Sequence, residues 1–410
     1  MPATTAVYIF RESPVILWGL SSRERLQRTL TGLGVSNFID NLDQLAADDS
    51  VMILRGDFLF DQRILAQLLK NPDTLIEIEQ GDNRVAVAAH CRREVAEKLI
   101  AALDRAATDD IEALGLKVVT PRELTSDYLL KLRKFDNPYI LPLSETFQDE
   151  LEKHLFNCSY KGVTDLVTKW VWPAPARRAV KFCVTHELKP NQVTLIGFFL
   201  AILAGLLFYH GWYFFGLVAG WLMTFLDTVD GKLARVTVTS SKFGHLFDHA
   251  IDIIHPPLWY LAWGAGLVHY GLPLSSGAWT AILWLILAGY LGGRIVEAIF
   301  TQFLGRFGIF CWQPQDSWFR LITGRRNPNM ILLTLGWLVG RPDLGLWAVA
   351  LWTFVSTLYL GWRLFKALKA RRNGPLKSWF EDIDPENSRH LTAVRVFTRR
   401  PTILPDGSRG

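Results

Sequence analysis

Residues Gln192 to Leu226 read QVTLIGFFLAILAGLLFYHGWYFFGLVAGWLMTFL and contain no Asp, Glu, Lys or Arg. Such a run is too long and too apolar for the interior of a soluble domain, since about 20 apolar residues already cross the hydrocarbon core of a bilayer as a helix. With Tyr209 to Trp212 as a turn it divides into two spans, 192–209 and 211–228. Four further apolar segments follow, at 250–271, 277–299, 329–341 and 344–363, which gives an expected α-helical membrane domain of six transmembrane helices. The fifth is short, at a length where a buried or half-spanning helix competes.

The connections sort by charge. Tyr209–Trp212 and Val268–Ser276 carry no Lys or Arg and Arg341–Leu344 carries one, whereas Lys232–Lys242, Thr301–Pro328 and the stretch after Gly361 carry several. The positive-inside rule then places both termini in the cytoplasm of an integral protein of the inner or plasma membrane. Trp212, Tyr213, Tyr270, Trp279, Trp347 and Trp362 fall near span ends, where amphipathic rings anchor at headgroup level. Residues 163–187 set Trp170, Trp172, Val180 and Phe182 against Lys169, Arg177, Arg178 and Lys181, as expected of a helix lying on the inner surface and broken by Pro173 and Pro175.

Up to about residue 160 the chain has a different character, with charges every few positions. Val51–Leu54, Thr74–Glu79 and Arg84–Ala89 read as strands, and Ser21–Leu33, Asp61–Leu69 and Arg92–Ala106 as amphipathic helices. That alternation predicts a soluble α/β domain. The expected organisation is 1–150 cytosolic α/β domain, 151–189 linker and juxtamembrane helix, 190–370 membrane domain and 371–410 cytosolic tail. This division explains a mean hydropathy of only +0.17 beside 50% hydrophobic residues, and it excludes disordered, collagenous and disulfide-scaffold classes. Cys91, Cys158, Cys183 and Cys311 form no metal or disulfide spacing. MPATTAVYIFRESPVILWGL lacks the basic start and sustained apolar run of a signal peptide. The net charge of +5 sits beside the apolar runs, so no nucleic-acid partner is expected.

The chemistry is concentrated where the second span ends. Asp227-Thr-Val-Asp230-Gly231-Lys-Leu-Ala234-Arg235 is followed by eight residues, then Gly244, Asp248 and Asp252. On helices, Asp227 and Asp230 share one face, and Asp248 and Asp252 another. Four carboxylates at a membrane face repel unless cations join them, and oxygen-only ligation favours Mg²⁺, Mn²⁺ or Ca²⁺ over zinc. Gly231, Gly244 and Ala234 leave room for close approach, and Arg235 offers a planar fork to a phosphate. His245, His249 and His255 lack zinc-site spacing and read as structural. The alternative is a cation-coupled transporter with intramembrane carboxylates; such proteins usually show an internal repeat, and none relates the first three spans to the last three.

The pattern DxxDGxxARx₈GxxxDxxxD resembles the signature of the CDP-alcohol phosphotransferases (CDP-alcohol phosphatidyltransferases), matched here at every position, and Pro190-Asn191-Gln-Val-Thr194 resembles the family's start to the first span. The resemblance covers roughly residues 160–370. It implies two divalent cations, Mg²⁺ or Mn²⁺, held by Asp227, Asp230 and Asp248, with Asp252 beside them as ligand and general base. It implies that Asn191, Thr194, Asp227, Gly231, Ala234, Arg235 and Gly244 line the CDP site, and that the partners are a CDP-alcohol donor, a hydroxyl acceptor, membrane lipid and a second copy in a homodimer. Arg294, Arg306, Arg325 and Arg326 are candidates for an acceptor phosphate, or equally for topology charges facing anionic lipid.

The N-terminal part weakly resembles nucleotidyltransferases through Gly19–Gly34 and Ile53-Leu-Arg-Gly-Asp57. Some CDP-alcohol phosphotransferases carry a fused cytidylyltransferase, so a bifunctional cytidylyltransferase/CDP-polyol transferase is a second alternative, with Asp57 as its metal candidate. Against it, the first strand runs into Phe10-Arg-Glu-Ser-Pro14, without the glycine-rich loop whose backbone N–H groups wrap a triphosphate. A degenerate domain used for binding or scaffolding is expected.

Overall fold

The computed structural model describes residues 5–398 apart from 81–82, 106–113, 126–127, 130–131, 133, 241, 382 and 384–386. The N-terminal part is built on a six-stranded sheet, ordered β2-β1-β3-β6-β5-β7. Its strands are β1 (Ala6–Phe10), β2 (Phe38–Ile39), β3 (Ser50–Arg55), β5 (Thr74–Gln80), β6 (Asn83–Arg92) and β7 (Lys117–Val119), while β4 (Phe58–Phe60) pairs separately with β8 (Ile140–Pro142). β1 runs parallel to both β2 and β3, β6 lies antiparallel between β3 and β5, and β7 is parallel to β5.

Side chains alternate across a strand, and both faces of this sheet are covered. Val7, Ile9, Met52 and Leu54 meet Leu26 and Leu30 of α1 (Ser22–Gly32) and Ile64 and Leu65 of α2 (Gln62–Leu68). Ala6, Phe10, Val51 and Ile53 meet Ala96 and Leu99 of α3 (Arg93–Arg105). The helices start where sequence chemistry says they should. Ser21 accepts from Glu24 N at 3.2 Å and Asp61 from Arg63 N at 2.8 Å, each satisfying an orphan donor of a first turn.

Of the segment expected as a linker and juxtamembrane helix, both parts hold helix. α4 (Gln148–Cys158) lies against the N-terminal sheet domain, and α5 (Pro173–Thr185) follows a π-helical turn at Val167–Val171. Pro173 does break the surface segment; Pro175 sits inside the first turn of α5, where proline removes no intrahelical bond.

The helical region comprises α6 (Pro190–Tyr209), α7 (Tyr213–Val236), α8 (Lys242–Gly266), α9 (Ser276–Ile299), α10 (Pro314–Ile322), α11 (Arg326–Leu338) and α12 (Pro342–Arg371). Three stretches among the described residues are long and apolar enough to cross a membrane, Pro190–Tyr209, Ser276–Leu304 and Pro342–Arg371. The other three expected spans fall on α7, whose end is charged, on α8, which contains Pro256 and Pro257, and on α11, whose 13 residues rise only about 20 Å. The shared core holds Phe208, Tyr213, Trp259, Trp263, Ile286 and Met330. Its aromatic polar groups are satisfied, Trp259 Nε1 by Ala201 O at 2.8 Å and Tyr213 OH by Trp263 O at 2.8 Å. α9 and α12 approach so closely at Gly289 that a Cβ there would lie 2.8 Å from Phe354 N, a small-residue contact typical of membrane helices. Phe199, Leu206, Phe215, Trp284, Leu338 and Phe365 point outward.

The chain after Arg371 folds back. Trp379, Phe380 and α13 (Thr392–Phe397) pack on Phe310, Trp312 and Leu321, with Trp379 Nε1 donating to Ser317 Oγ at 3.0 Å.

Candidate active site

α7 ends with Asp227 and Asp230 one turn apart, and α8 and α11 bring their partners. Arg326, the first residue of α11, donates through Nη1 to Asp252 Oδ1 at 2.5 Å and through Nη2 to Asp227 Oδ2. The consecutive helices α7 and α8 and the distant α11 therefore meet on one guanidinium, whose fork can serve two carboxylates at once. Asp230 is buried and accepts from Thr194 Oγ1 of α6 at 2.6 Å. Asp248 lies on α8 one turn before Asp252; its side chain, with those of His245 and His249, lies outside the described residues.

Among the described residues no group of three or more His, Cys, Asp and Glu side chains is gathered to hold a metal. Asp227, Asp230 and Asp252 nonetheless supply only carboxylate oxygens, the donors that Mg²⁺ and Mn²⁺ take. The donor set fits such a cation in kind, and in this conformation Arg326 supplies the counter-charge between Asp227 and Asp252.

The residues expected at the CDP site fall around the same helix ends. Asn191 is exposed in the first turn of α6, and Thr194 is half-buried beside Asp230. A Cβ on Gly231 would lie 3.1 Å from Arg235 Nη2, so the missing side chain leaves room for the Arg235 guanidinium to fold back over the preceding turn. Ala234 and Gly244 are half-buried. His255 packs edge-on to Trp259 and bonds the Ile251 carbonyl through Nδ1 at 2.7 Å.

A polar cavity of about 90 Å³ opens beside Asp252, with Arg294, Arg320, Arg325 and Arg326 in its wall. Tyr290 donates to Ile253 O at 2.8 Å and takes a bond from Arg294 Nη2 at 3.3 Å. Arg325 pairs with Glu297. Arg306 is exposed and is not part of this wall. On the far side, Asp165 accepts from Asn327 Nδ2 at 2.9 Å and Thr168 Oγ1 at 2.9 Å. Burial alone would push this carboxyl up, but the charge of Arg320 and those hydrogen bonds outweigh it and hold it below the usual carboxylate range. Asp165, Tyr290 and Asn327 belong to no spacing pattern that marks a site; in this wall the signal lay in the basic residues Arg294, Arg325 and Arg326.

A second cavity, apolar and about 500 Å³, is lined by Trp172, Phe214, Trp221, Phe225 and Trp337 among others. It follows α7 away from the carboxylates, starting two residues before Asp227.

In the N-terminal sheet domain, Asp57 is paired with Arg55, Oδ2 to Nη2 at 2.6 Å. Chain 10–14 lies against Gly56, where a Cβ would sit 3.2 Å from Glu12 Cα.

Residues 187–304 match the family described as CDP-alcohol phosphatidyltransferase. Among curated proteins, the chain is 31% identical over 163 residues to a bifunctional IPC transferase and DIPP synthase of Rubrobacter xylanophilus, covering 39% of this chain and 34% of that protein. It is 35% identical over 167 residues to choline/ethanolaminephosphotransferase 2 of Arabidopsis thaliana, covering 38% and 40%, and 39% identical over 79 residues to archaetidylinositol phosphate synthase of Pyrococcus horikoshii, covering 19% and 42%. The chain thus spans between a third and under a half of the length of these relatives. Motif, helix-end carboxylates and match coincide on the same residues, and the chain therefore carries a CDP-alcohol phosphatidyltransferase domain over residues 187–304.

Proposed function

We propose that this protein is an integral-membrane CDP-alcohol phosphotransferase that moves a phospho-alcohol group from a CDP-alcohol to an acceptor hydroxyl and releases CMP. The observation that carries the reading is the meeting of Asp227, Asp252 and Arg326 from three helices beside an arginine-walled cavity. The acceptor oxygen forms a bond to the phosphorus that bears the alcohol, the bond from that phosphorus to the bridging oxygen breaks, and CMP leaves with the electron pair. The proton of the acceptor goes to Asp252, a base worth about 10²- to 10⁴-fold when well placed.

Divalent cations held by Asp227, Asp230 and Asp248, with Asp252 adjoining, would supply charge neutralisation of the pyrophosphate. Thr194 orients Asp230 through its hydroxyl. Arg235, folded over Gly231, is placed for a phosphate of the donor. Arg326 keeps Asp227 and Asp252 close despite their like charge.

Two cavities of unlike lining, one arginine-walled beside Asp252 and one apolar along α7, favour two unlike substrates. The apolar one suits the chains of a lipid-linked substrate, since its wall is almost wholly aromatic and aliphatic. The arginine-walled one suits a phosphorylated polyol acceptor. Purified protein given a panel of CDP-alcohols, lipid-linked and small, with phosphorylated and plain acceptors, tests this by mass spectrometry of the products. A lipid phosphodiester that retains the acceptor phosphate is the expected product; release of CMP from no member of the panel would overturn the reading.

A further inference from the structure

We propose that the N-terminal domain is a clamp on the last turn of α7, with Trp18 and Arg28 as positioning residues for the Asp227–Arg235 run. The clamp itself rests on the contacts below; its consequence for turnover rests on the transferase reading.

The chain that follows β1 forms a plug instead of a nucleotide cradle. Leu17 and Leu20 exchange backbone hydrogen bonds of 3.0 and 3.1 Å around Trp18 and Gly19, at φ +51° and +74°. Positive φ at both central residues is the geometry of a tight hairpin turn, and a bulky residue there needs outside support. Support comes from both sides: Arg25 Nη2 donates to Leu17 O at 2.8 Å, Trp18 N to Glu152 Oε1 at 3.1 Å, and Trp18 Nε1 to Glu152 O at 2.9 Å.

The turn presents the Trp18 ring to the helical region. Only 1% exposed, Trp18 shares a cluster with Phe156, Val180 and with Val229, Leu233 and Val236 of α7. Those three lie at i, i+4 and i+7 on one stripe. At about 100° per residue Asp227 and Ala234 lie on the other side of the same turns, and Asp230 about a quarter turn from the stripe. Pressure on the Val229 stripe therefore sets where the carboxylates point.

The end of α7 is built to need such a hold. Thr239 N bonds Ala234 O at 2.9 Å and Val238 N reaches Arg235 O at 3.4 Å, the double bond pattern of a helix stop whose left-handed residue is usually glycine. Here that residue is Val238, at φ +52°, a β-branched side chain in a conformation it disfavours. From α1, Arg28 Nη1 donates to Thr237 O at 2.9 Å, placing a cation on the negative end of the helix. Lys232 holds the preceding turn, donating to Ser159 O at 3.3 Å with its ammonium 3.6 Å from the Tyr160 ring centroid. A strained stop and three external contacts fall within the twelve residues that follow Asp227.

The test uses the full-length protein purified in detergent, with hydrogen exchange and CMP release read on the same samples. Arg28→Ala should speed amide exchange in peptides covering 231–239 at least fivefold while the rest of the helical region and the thermal midpoint stay put, and should lower kcat about tenfold. Arg28→Lys should recover most of both. Val238→Gly, which accepts the left-handed conformation without strain, should slow exchange again in the Arg28→Ala background and bring kcat back with it. Arg23→Ala, on the same helix but paired, among the described residues, to Glu12 and Asp40, should change neither reading. Unchanged exchange in Arg28→Ala would overturn the clamp, and faster exchange with unaltered kcat would overturn its positioning role. A wild type that releases no CMP would sink the transferase reading and leave the clamp to stand or fall on exchange alone.

Discussion

Arg326 and Asp252 lie 74 residues apart in sequence and 2.5 Å apart in space, Nη1 to Oδ1. The same guanidinium serves Asp227, so two carboxylates on different helices share one fixed cation. Arg326→Ala leaves them facing each other; because the pairs are only part-buried, the cost should fall short of the roughly 3 kcal/mol or more of a fully buried pair. The thermal midpoint of Arg326→Ala in detergent should fall by several degrees and recover in part on adding Mg²⁺ or Mn²⁺. A midpoint equal to wild type in EDTA would show that the carboxylates do not depend on this counter-charge.

Thr194 donates to Asp230 at 2.6 Å. A hydrogen bond to a charged group is worth about 1.5–3 kcal/mol, so Thr194→Val, which keeps the shape and removes the hydroxyl, should cut kcat at least tenfold. Thr194→Ser should keep most of the activity. Equal losses in both variants would point to packing on α6 rather than to the hydrogen bond.

The membrane character, the α/β alternation and the carboxylate pattern were legible because each is periodic or local. Helical spacing put Asp227 with Asp230, both on α7; the expected partner of Asp252, Asp248, has a side chain outside the described residues. Spacing could not tell that Arg326 would cross to Asp227 and Asp252, since that contact depends on how α11 packs against α7 and α8. For the same reason Arg325 and Arg326 looked equivalent, yet one pairs with Glu297 and the other with the aspartates. The amphipathic helix expected over 163–187 shows as α5, which buries Ala176 and Val180 against α7; α4 reads as mixed because it divides its buried side chains between the N-terminal domain, through Leu151, and α7, through Phe156. Short strands such as Phe38–Ile39 and Phe58–Phe60 hold too few residues to show a period.

With Arg326 committed to carboxylates, Arg294 and Arg325, the latter shared with Glu297, are the residues on which to test the proposed acceptor-phosphate role. Arg294→Ala with Arg325→Ala should raise the acceptor KM at least tenfold, about 1.4 kcal/mol, and move the KM for the CDP-alcohol far less. Steady-state kinetics in detergent free of anionic lipid decide it. Equal changes in both constants, or none, would leave these arginines as topology charges.

Asp165 links the juxtamembrane turn to Asn327, and its carboxyl is held below the usual range by Arg320 and its hydrogen bonds, against the opposing effect of burial. A group with a depressed folded pKa adds stability that is full above its unfolded value, about 3.9, and is lost as pH falls through the folded value. Thermal midpoints should therefore fall more steeply below about pH 4 in wild type than in Asp165→Asn. Parallel acid limbs would contradict this.

If the aspartates of α7 and α8 perform cation-dependent phospho-alcohol transfer, CMP release shows it most plainly: purified protein is given a CDP-alcohol and its acceptor at saturating Mg²⁺, as wild type and as Asp227→Asn, Asp230→Asn and Asp248→Asn. Wild type should release CMP until EDTA is added, and each variant should lose at least a hundredfold with membrane insertion intact. CMP release that persists in EDTA, or in two of the three variants, would contradict that role.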